Sequence, residues 1–310
     1  METDAAPDED DARKPPPILY YLRTFHAVAS EKSFTRAAGA LSLSQPAVSA
    51  HIRTLERYYG GPLFQTRHRR VFLTAEGDAL FGYTKRVFNL LDEANRAVDA
   101  TRRGQLGLLR LGASTTVGVY LLPQLLQRYT REHMRVEVDI AIGTSADIIA
   151  RVLAEDVPFG IVEAPITHRM LDVEPIGQDD MVLIARSDHP LARGGTVTAE
   201  QLAHVPILRR ETGSATQVLV DAALEHSGIN PPTCMLLGSA DALKQAVLSG
   251  LGLAWVPHVT VLRELEAGEL AAVSVLDLSI SRQRSLVMLR GARLSPAAKA
   301  FLELVRDATG

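Results

Sequence analysis

The sequence has a single cysteine, Cys234, and no apolar run approaching the roughly 20 residues that a membrane helix needs. One cysteine excludes an intrachain disulfide. Placed near an expected strand, it reads as a small buried hydrophobe. The N-terminus, METDAAPDEDDARKPPP, lacks the basic start and apolar core of a secretory signal, so a cytoplasmic protein is expected. Catalytic signatures are missing too. There is no G-x-S-x-G, no H-E-x-x-H and no paired-cysteine metal motif. The nine histidines show no ligand spacing. The G-x-G of GLGLAW, residues 250–255, precedes an expected strand, whereas a dinucleotide loop must follow one. No enzyme, metal or cofactor is expected.

What is there is a globular composition with a divided charge. The 310 residues leave room for two or three domains, and 46% hydrophobic with 22% charged residues fits a folded chain. The net charge of −3 conceals an asymmetry. Residues 1–12 carry six acids and no bases; residues 13–105 carry 15 Lys/Arg against 7 Asp/Glu; residues 106–310 carry 18 against 23. A basic block on a mildly acidic body suits a polyanion-binding module, or else a set of solvated helix faces.

Residues 1–17 read as a disordered acidic and Pro-rich tail. An apolar-periodic helix follows from Ile18 to about Ala29. Ser33 is a good N-cap for a second helix, Phe34 to Leu41, whose Ala37, Ala38 and Ala40 allow close packing. Ser42-Leu43-Ser44 makes a turn. Pro46 suits the first turn of a third helix, which stops at Gly60-Gly61. PLFQTRHRRVFLT has strand-like ends around a basic tip, the pattern of a wing. Thr74 then caps a long helix from about Ala75 to Arg103. Leu80, Thr84, Val87, Leu91, Ala94, Val98 and Thr101 recur at spacings of four and three. A dimerising linker helix over 75–105 explains that seam; a core-facing stripe would look the same. From Leu106 strands and helices alternate in two series, which predicts parallel sheets with helices on both faces. The expected α/β body has two lobes, one of about 106–178 and 270–310, the other of about 179–269, with a hinged cleft between.

The second helix of a helix-turn-helix presents its N-terminal residues to base edges in the major groove. Here those residues are Ser44, Gln45, Pro46, Ala47 and, one turn on, Ser49. Gln can bond adenine through two hydrogen bonds, Ser can donate or accept, and Pro46 and Ala47 can touch a thymine methyl. Val48, Ile52 and Leu55 form the opposite, packing face. Thr35, Arg36 and Arg53 suit phosphates, and the wing offers Arg67 and Arg69. His51 and His68 read as a surface or DNA-facing pair.

The stretch Phe25-x-x-Val28…Ser33-Phe34-Thr35-x-Ala37-Ala38…Leu41-x-x-Ser44-Gln45-Pro46-Ala47-Val48-Ser49…Ile52-x-x-Leu55-Glu56…Gly60…Pro62-Leu63-Phe64…Arg69…Leu73-Thr74-x-x-Gly77 resembles the N-terminal signature of LysR-type transcriptional regulators. The resemblance implies a winged helix-turn-helix, a linker helix and an effector domain like a periplasmic binding protein. It implies promoter DNA, a small-molecule effector and RNA polymerase as partners, and homodimers through the linker assembling into homotetramers. Two positions depart from the pattern. Thr66 stands where the family usually has Arg, with Arg67 next to replace it. Ala50 stands where a polar residue is common, which narrows base readout.

In two-lobed α/β folds ligands sit at strand C-termini and helix N-termini, where backbone N–H groups favour anions. Three ends qualify: Ser114-Thr115-Thr116, Gly143-Thr144-Ser145, and the segment containing Gly213, Ser214 and Thr216. Simple N-capping would place the same residues there. RRETGSATQ and LGSADALKQAVLSGLGLAWVP also resemble the family branch of sulfur, nitrogen and carbon-fixation regulators, which adds Gln217 and Ser239 and implies a small anionic effector. Gln217 replaces that branch's Arg, and Gln cannot supply its bidentate clamp. The rival reading is a metabolite-binding or catalytic α/β protein with an incidental helical domain.

Overall fold

The computed structural model describes residues 18–67, 70–102, 107–134, 136–194, 196–276 and 278–309. The acidic tail, the wing residues His68 and Arg69, and the end of the linker lie outside the described residues. The chain divides into two compact units, residues 1–94 and 95–310.

The first unit begins with α1 (Ile18–Glu31), α2 (Phe34–Leu41) and α3 (Gln45–Tyr59). Ser33 caps α2, its hydroxyl accepting the Arg36 N–H at 3.3 Å, and Ser42, in the left-handed region at φ 55°, ends it. Ser44 caps α3 in the same way, Pro46 occupies the first turn, and Gly60 at φ 79° closes the helix. Strands β1 (Phe64–Arg67) and β2 (Arg70–Leu73) pair as the wing, and α4 (Ala75–Arg102) follows. The core joins Phe25, Val28, Ala37, Ala38, Val48, Ile52, Leu55 and Leu63. Ala40 is exposed, so only two of the three expected small residues serve the packing. His51 is half-buried and spends its ring on α1. It bonds Thr24 Oγ1 at 3.1 Å and packs on the Tyr20 and Tyr21 rings, tying α3 to α1.

Two signature residues acquire a physical reason here. Glu56 accepts the Leu63 N–H at 2.9 Å and so fixes the entry to the wing. Gly77 lies against the same segment: a Cβ there would sit 2.0 Å from the Leu63 carbonyl oxygen. Gly77→Ala must push α4 off the wing base. Its expected cost is about 2–3 kcal/mol, read as a lower unfolding midpoint of the first unit. A midpoint within error of wild type would refute that contact.

The second unit runs β3 (Leu108–Ser114), a π-helical turn (Val117–Leu121), α5 (Leu122–Glu132), β4 (Glu137–Gly143), α6 (Ser145–Leu153), β5 (Phe159–Val162) and β6 (Leu171–Arg186). It continues through α7 (Pro190–Gly194), β7 (Thr196–Val197), α8 (Ala199–Leu202), β8 (Ile207–Arg210), α9 (Ala215–His226), β9 (Thr233–Leu237), α10 (Ala240–Leu248) and β10 (Leu253–Pro257). It ends with α11 (Leu262–Glu266), β11 (Leu270–Val275), β12 (Ile280–Leu289) and α12 (Pro296–Thr309). One sheet is ordered β4-β3-β5-β12-β6-β10-β8-β9, with β11 also on β6 and β7 on β11.

The sheet is mixed, where a parallel one was expected. β3, β4 and β5 run parallel, as do β8, β9 and β10, but β6 and β12 are antiparallel to each other and to their flanking strands. These two strands are the crossings between lobes. Both are longer than the sequence suggests: β6 starts at Leu171 rather than near Asp180, and β12 at Ile280 rather than Ser285. Pro175 and Gly177 are residues that disfavour a regular strand. In fact Ser285 faces Pro175 and Arg284 faces Gly177, which leaves Ile176 as the extra residue of a bulge. β11, expected in the first lobe, pairs with β6 from Leu183 to Arg186, and Val273 and Ile280 pack in the second lobe's core. The first lobe is built on Leu109, Leu111, Phe159, Ile161 and Phe301 on one face and Ile148, Val152 and Val287 on the other. Cys234 is exposed on β9, at the sheet's edge. A two-neighbour interior strand would have buried it; an edge strand need not.

Candidate functional site

The start of α3 is exposed and polar. On α3, Val48, Ile52 and Leu55 are buried, while Ser44, Gln45, Pro46, Ala50 and Arg53 are exposed and Ala47 and Ser49 half-buried. Ser44 Oγ accepts the Ala47 N–H at 3.3 Å, so its lone pairs are partly spent on the cap and its proton remains to donate. Gln45 Nε2 donates to Ser49 Oγ at 3.2 Å. That bond links the two side chains one turn apart and leaves the Gln45 carbonyl oxygen and one amide proton facing out. Thr35 and Arg36 are exposed at the start of α2. Arg36 pairs with Glu31 at 3.2 Å, an exposed contact of small worth that a phosphate can displace. At the wing, Arg67 faces Arg70 directly across the ladder. Like charges opposite one another destabilise a strand pair. The cost is recovered when an anion sits between them. Arg69 lies outside the described residues.

In the second unit the three expected ligand ends are joined by contacts through Glu163 and Arg282. Ser114 donates to a Glu163 carboxylate oxygen, and Ser145 Oγ lies 3.5 Å from the Glu163 carbonyl. Arg282 Nη2 donates to Glu163 at 3.1 Å and to Asp179 at 2.6 Å, Nε donates to Asp179 at 3.0 Å, and Nη1 donates to Thr216 at 2.9 Å. Glu163, Asp179, Arg282 and Ser114 are all buried. One guanidinium thus ties the end of β5, both crossing strands and the start of α9. Thr115 donates to the Gly143 carbonyl at 3.2 Å. Thr144 caps α6 in a capping box with Asp147, Ser214 caps α9, and Ser239 caps α10. Thr116 makes no cap bond. Gly213 turns at φ 91°. Gln217 is placed as a brace rather than an open ligand donor: its amide accepts the Arg210 N–H at 2.7 Å and donates to Asp221 at 2.8 Å.

A second bridge spans the lobes. Tyr120, on the π-helical turn, donates its hydroxyl to Asp241 in the first turn of α10, and Lys244 reaches the same hydroxyl at 3.4 Å. Lys244 also bonds Glu264 at 2.8 Å and the Thr260 carbonyl at 3.0 Å. Burial raises the Tyr120 pKa, reinforced by Asp241. Burial opposes the Lys244 charge, but its bonds to Glu264 and Tyr120 prevail and its pKa stands above the ordinary lysine value. Glu163, Asp179, Arg282 and Tyr120 were not legible as site residues. The signal was present in ISRQRSL, where alternation from the apolar Ile280 turns Arg282 inward.

The cations around the cleft are mostly committed. Arg282 serves two carboxylates, Arg209 pairs with Asp221 at 2.5 Å and Arg210 with Glu211 at 2.8 Å. Among the described residues, Arg209 and Arg284 each keep a buried Nε without a hydrogen-bond partner, and Arg284 lies two residues along β12 from Arg282 and so on the same strand face. Among the described residues no cluster of His, Cys, Asp or Glu could hold a metal ion, and no helix is long and apolar enough to cross a membrane.

Residues 19–78 match the family model described as bacterial regulatory helix-turn-helix protein, lysR family, and residues 102–310 match the LysR substrate binding domain. The RuBisCO operon transcriptional regulator of Acidithiobacillus ferrooxidans is 32% identical over 285 residues, which cover 92% of each chain. Among solved structures, full-length CbnR complexed with its target DNA superposes with a TM-score of 0.73 at 22% identity, covering 94% of this chain and 99% of that one; this likeness speaks to the fold. The regulatory domain of Synechocystis PCC6803 CcmR in complex with 2-PG gives a TM-score of 0.61 at 28% identity, covering 65% of this chain and 97% of that domain.

Proposed function

The chain belongs to the LysR family of transcriptional regulators, and from that premise we propose that α3 reads operator DNA while the interlobe cleft senses a small anion. The carrying observation is the exposed polar start of α3, where Gln45 and Ser49 are held together beside exposed arginines. Gln45 and Ser49 read base edges. Ser44, Pro46 and Ala47 flank them. Thr35, Arg36, Arg53, Arg67 and Arg69 hold phosphates, which position the protein without specifying sequence. Two chains pair through α4, and the work is done in the cytoplasm by binding, without catalysis.

For the cleft, the supporting observation is a set of N–H-rich helix starts, at α6, α9 and α10, with hydroxyls beside them. The 2-PG bound by the CcmR domain supports a ligand of the same small size. Since Arg282 is spent on Glu163 and Asp179, the anion is met by backbone N–H groups, Thr116 and Arg284. Effector binding changes how the lobes close about β6 and β12, and so alters the geometry of the paired chains.

Two substitutions separate reading from anchoring. Gln45→Ala is expected to cost about 1–3 kcal/mol at one base pair and to relax preference there. Arg53→Ala is expected to weaken all duplexes alike and to lower the slope of log K against log salt by about one. Anisotropy titrations against the protein's own upstream region and single-base variants measure both. An unchanged base preference in Gln45→Ala would remove Gln45 as the reader.

A further inference from the structure

The six acids of residues 1–12 have no role in the reading above. Beside the wing lies a groove of about 1000 Å³ lined by Lys32, Arg67, Arg70, Phe72, Phe81 and Asp78. It carries three cations against one acid, and Phe72 is exposed within it. We propose that the acidic N-terminal segment of this chain docks in that groove as an intramolecular competitor of DNA.

Chain length and charge both support this occupant. The tail joins α1 at Ile18, and Lys32 directly follows the other end of that helix. Fourteen helical residues span about 21 Å. Residues 12–17, extended, span about 20 Å. That length is enough for the acids from Asp11 back to Glu2 to reach Lys32, where the groove begins. Single exposed ion pairs are weak, but a short tether holds its ligand at an effective concentration on the order of millimolar. Arg67 is a wing residue that the DNA-reading account assigns to phosphates, and Arg70 faces it directly across the ladder, so tail and duplex cannot use that pair together. The proposal rests on that account.

The test uses the full-length chain with Glu2→Gln, Asp4→Asn, Asp8→Asn, Glu9→Gln, Asp10→Asn and Asp11→Asn. Its affinity for a random-sequence 30-base-pair duplex is compared with wild type from 50 to 200 mM salt. Neutralising the tail is expected to tighten binding about tenfold at 50 mM, less at 200 mM, and to steepen the salt slope by about two to three, because those cations are then free to displace counterions from DNA. In a Lys32→Ala, Arg67→Ala, Arg70→Ala background the same neutralisation is expected to change nothing. Equal affinities in the first comparison, or an undiminished gain in the second, would overturn the proposal. A labelled peptide of residues 1–12 titrated onto the neutralised chain reads docking without DNA. Binding at 50 mM salt with peptide up to about millimolar, the concentration the tether supplies, that the three alanines abolish supports the groove, and no binding over that range overturns it, even were neither protein to bind a duplex.

Discussion

Arg282→Met is expected to destabilise the second unit by about 3–5 kcal/mol, because it leaves two carboxylates buried without their cation. Glu163 and Asp179 have almost no solvent to turn to, and Ser114 and Thr216 cannot replace a charge. The chain's one tryptophan, Trp255, is 6% exposed in β10, so its fluorescence follows this unit and not the DNA-reading one. Urea titration should show the midpoint falling sharply. Replacing all three together, Glu163→Gln, Asp179→Asn and Arg282→Met, should recover much of the loss, since no uncompensated charge remains. A midpoint shift below about 1 kcal/mol for Arg282→Met would mean that the cluster is solvated and does not hold the lobes.

Leu91→Glu with Val98→Glu is expected to convert the protein to monomers and to weaken operator binding by about 10²- to 10⁴-fold, the loss of a second tethered site. The seven-position seam divides in the structure. Leu80 and Thr84 pack within the first unit, where Thr84 is buried and bonds His26 at 3.3 Å. Val87, Leu91 and Val98 remain exposed, with Leu90 67% and Tyr83 64% exposed beside them. Exposed apolar side chains recurring at such spacing along one helix suit a partner helix. Thr101 lies where side chains are not described. Sedimentation at micromolar concentration gives the oligomeric state directly. A double variant that stays dimeric would move the interface off α4.

The helix-turn-helix was legible almost to the residue because local chemistry decides it. Ser33, Ser44, Pro46 and Gly60 each act within one turn, and the structure begins and ends α2 and α3 at the limits they set. Burial of Val48, Ile52 and Leu55 follows from spacing alone. The cleft was legible only at its rims. Ser114, Ser145, Thr216 and Ser239 sit at element ends, which caps announce. Its floor was not, because Glu163, Asp179 and Arg282 meet through pairings 103 and 119 residues apart in sequence, which no local pattern encodes. The crossing strands were under-read for a related reason. Pro175 and Gly177 disfavour a regular strand and the Arg282-Gln283-Arg284 run is polar, and a bulged antiparallel pairing accommodates them. His51 misled in the other direction: a polar ring on a recognition helix suggests DNA, yet its neighbours are Tyr20, Tyr21 and Thr24.

The central claim is that paired copies of α3 read DNA by sequence. Selection from a pool of randomised duplexes with the full-length protein tests it most directly. The enriched sites should be two-fold symmetric, with half-sites about one helical turn, roughly 10 base pairs, or a multiple of it apart. Gln45→Ala should enrich sites that have lost preference at one position in each half. A wild-type protein that enriches no sequence, or only a single unrepeated half-site, would contradict the account.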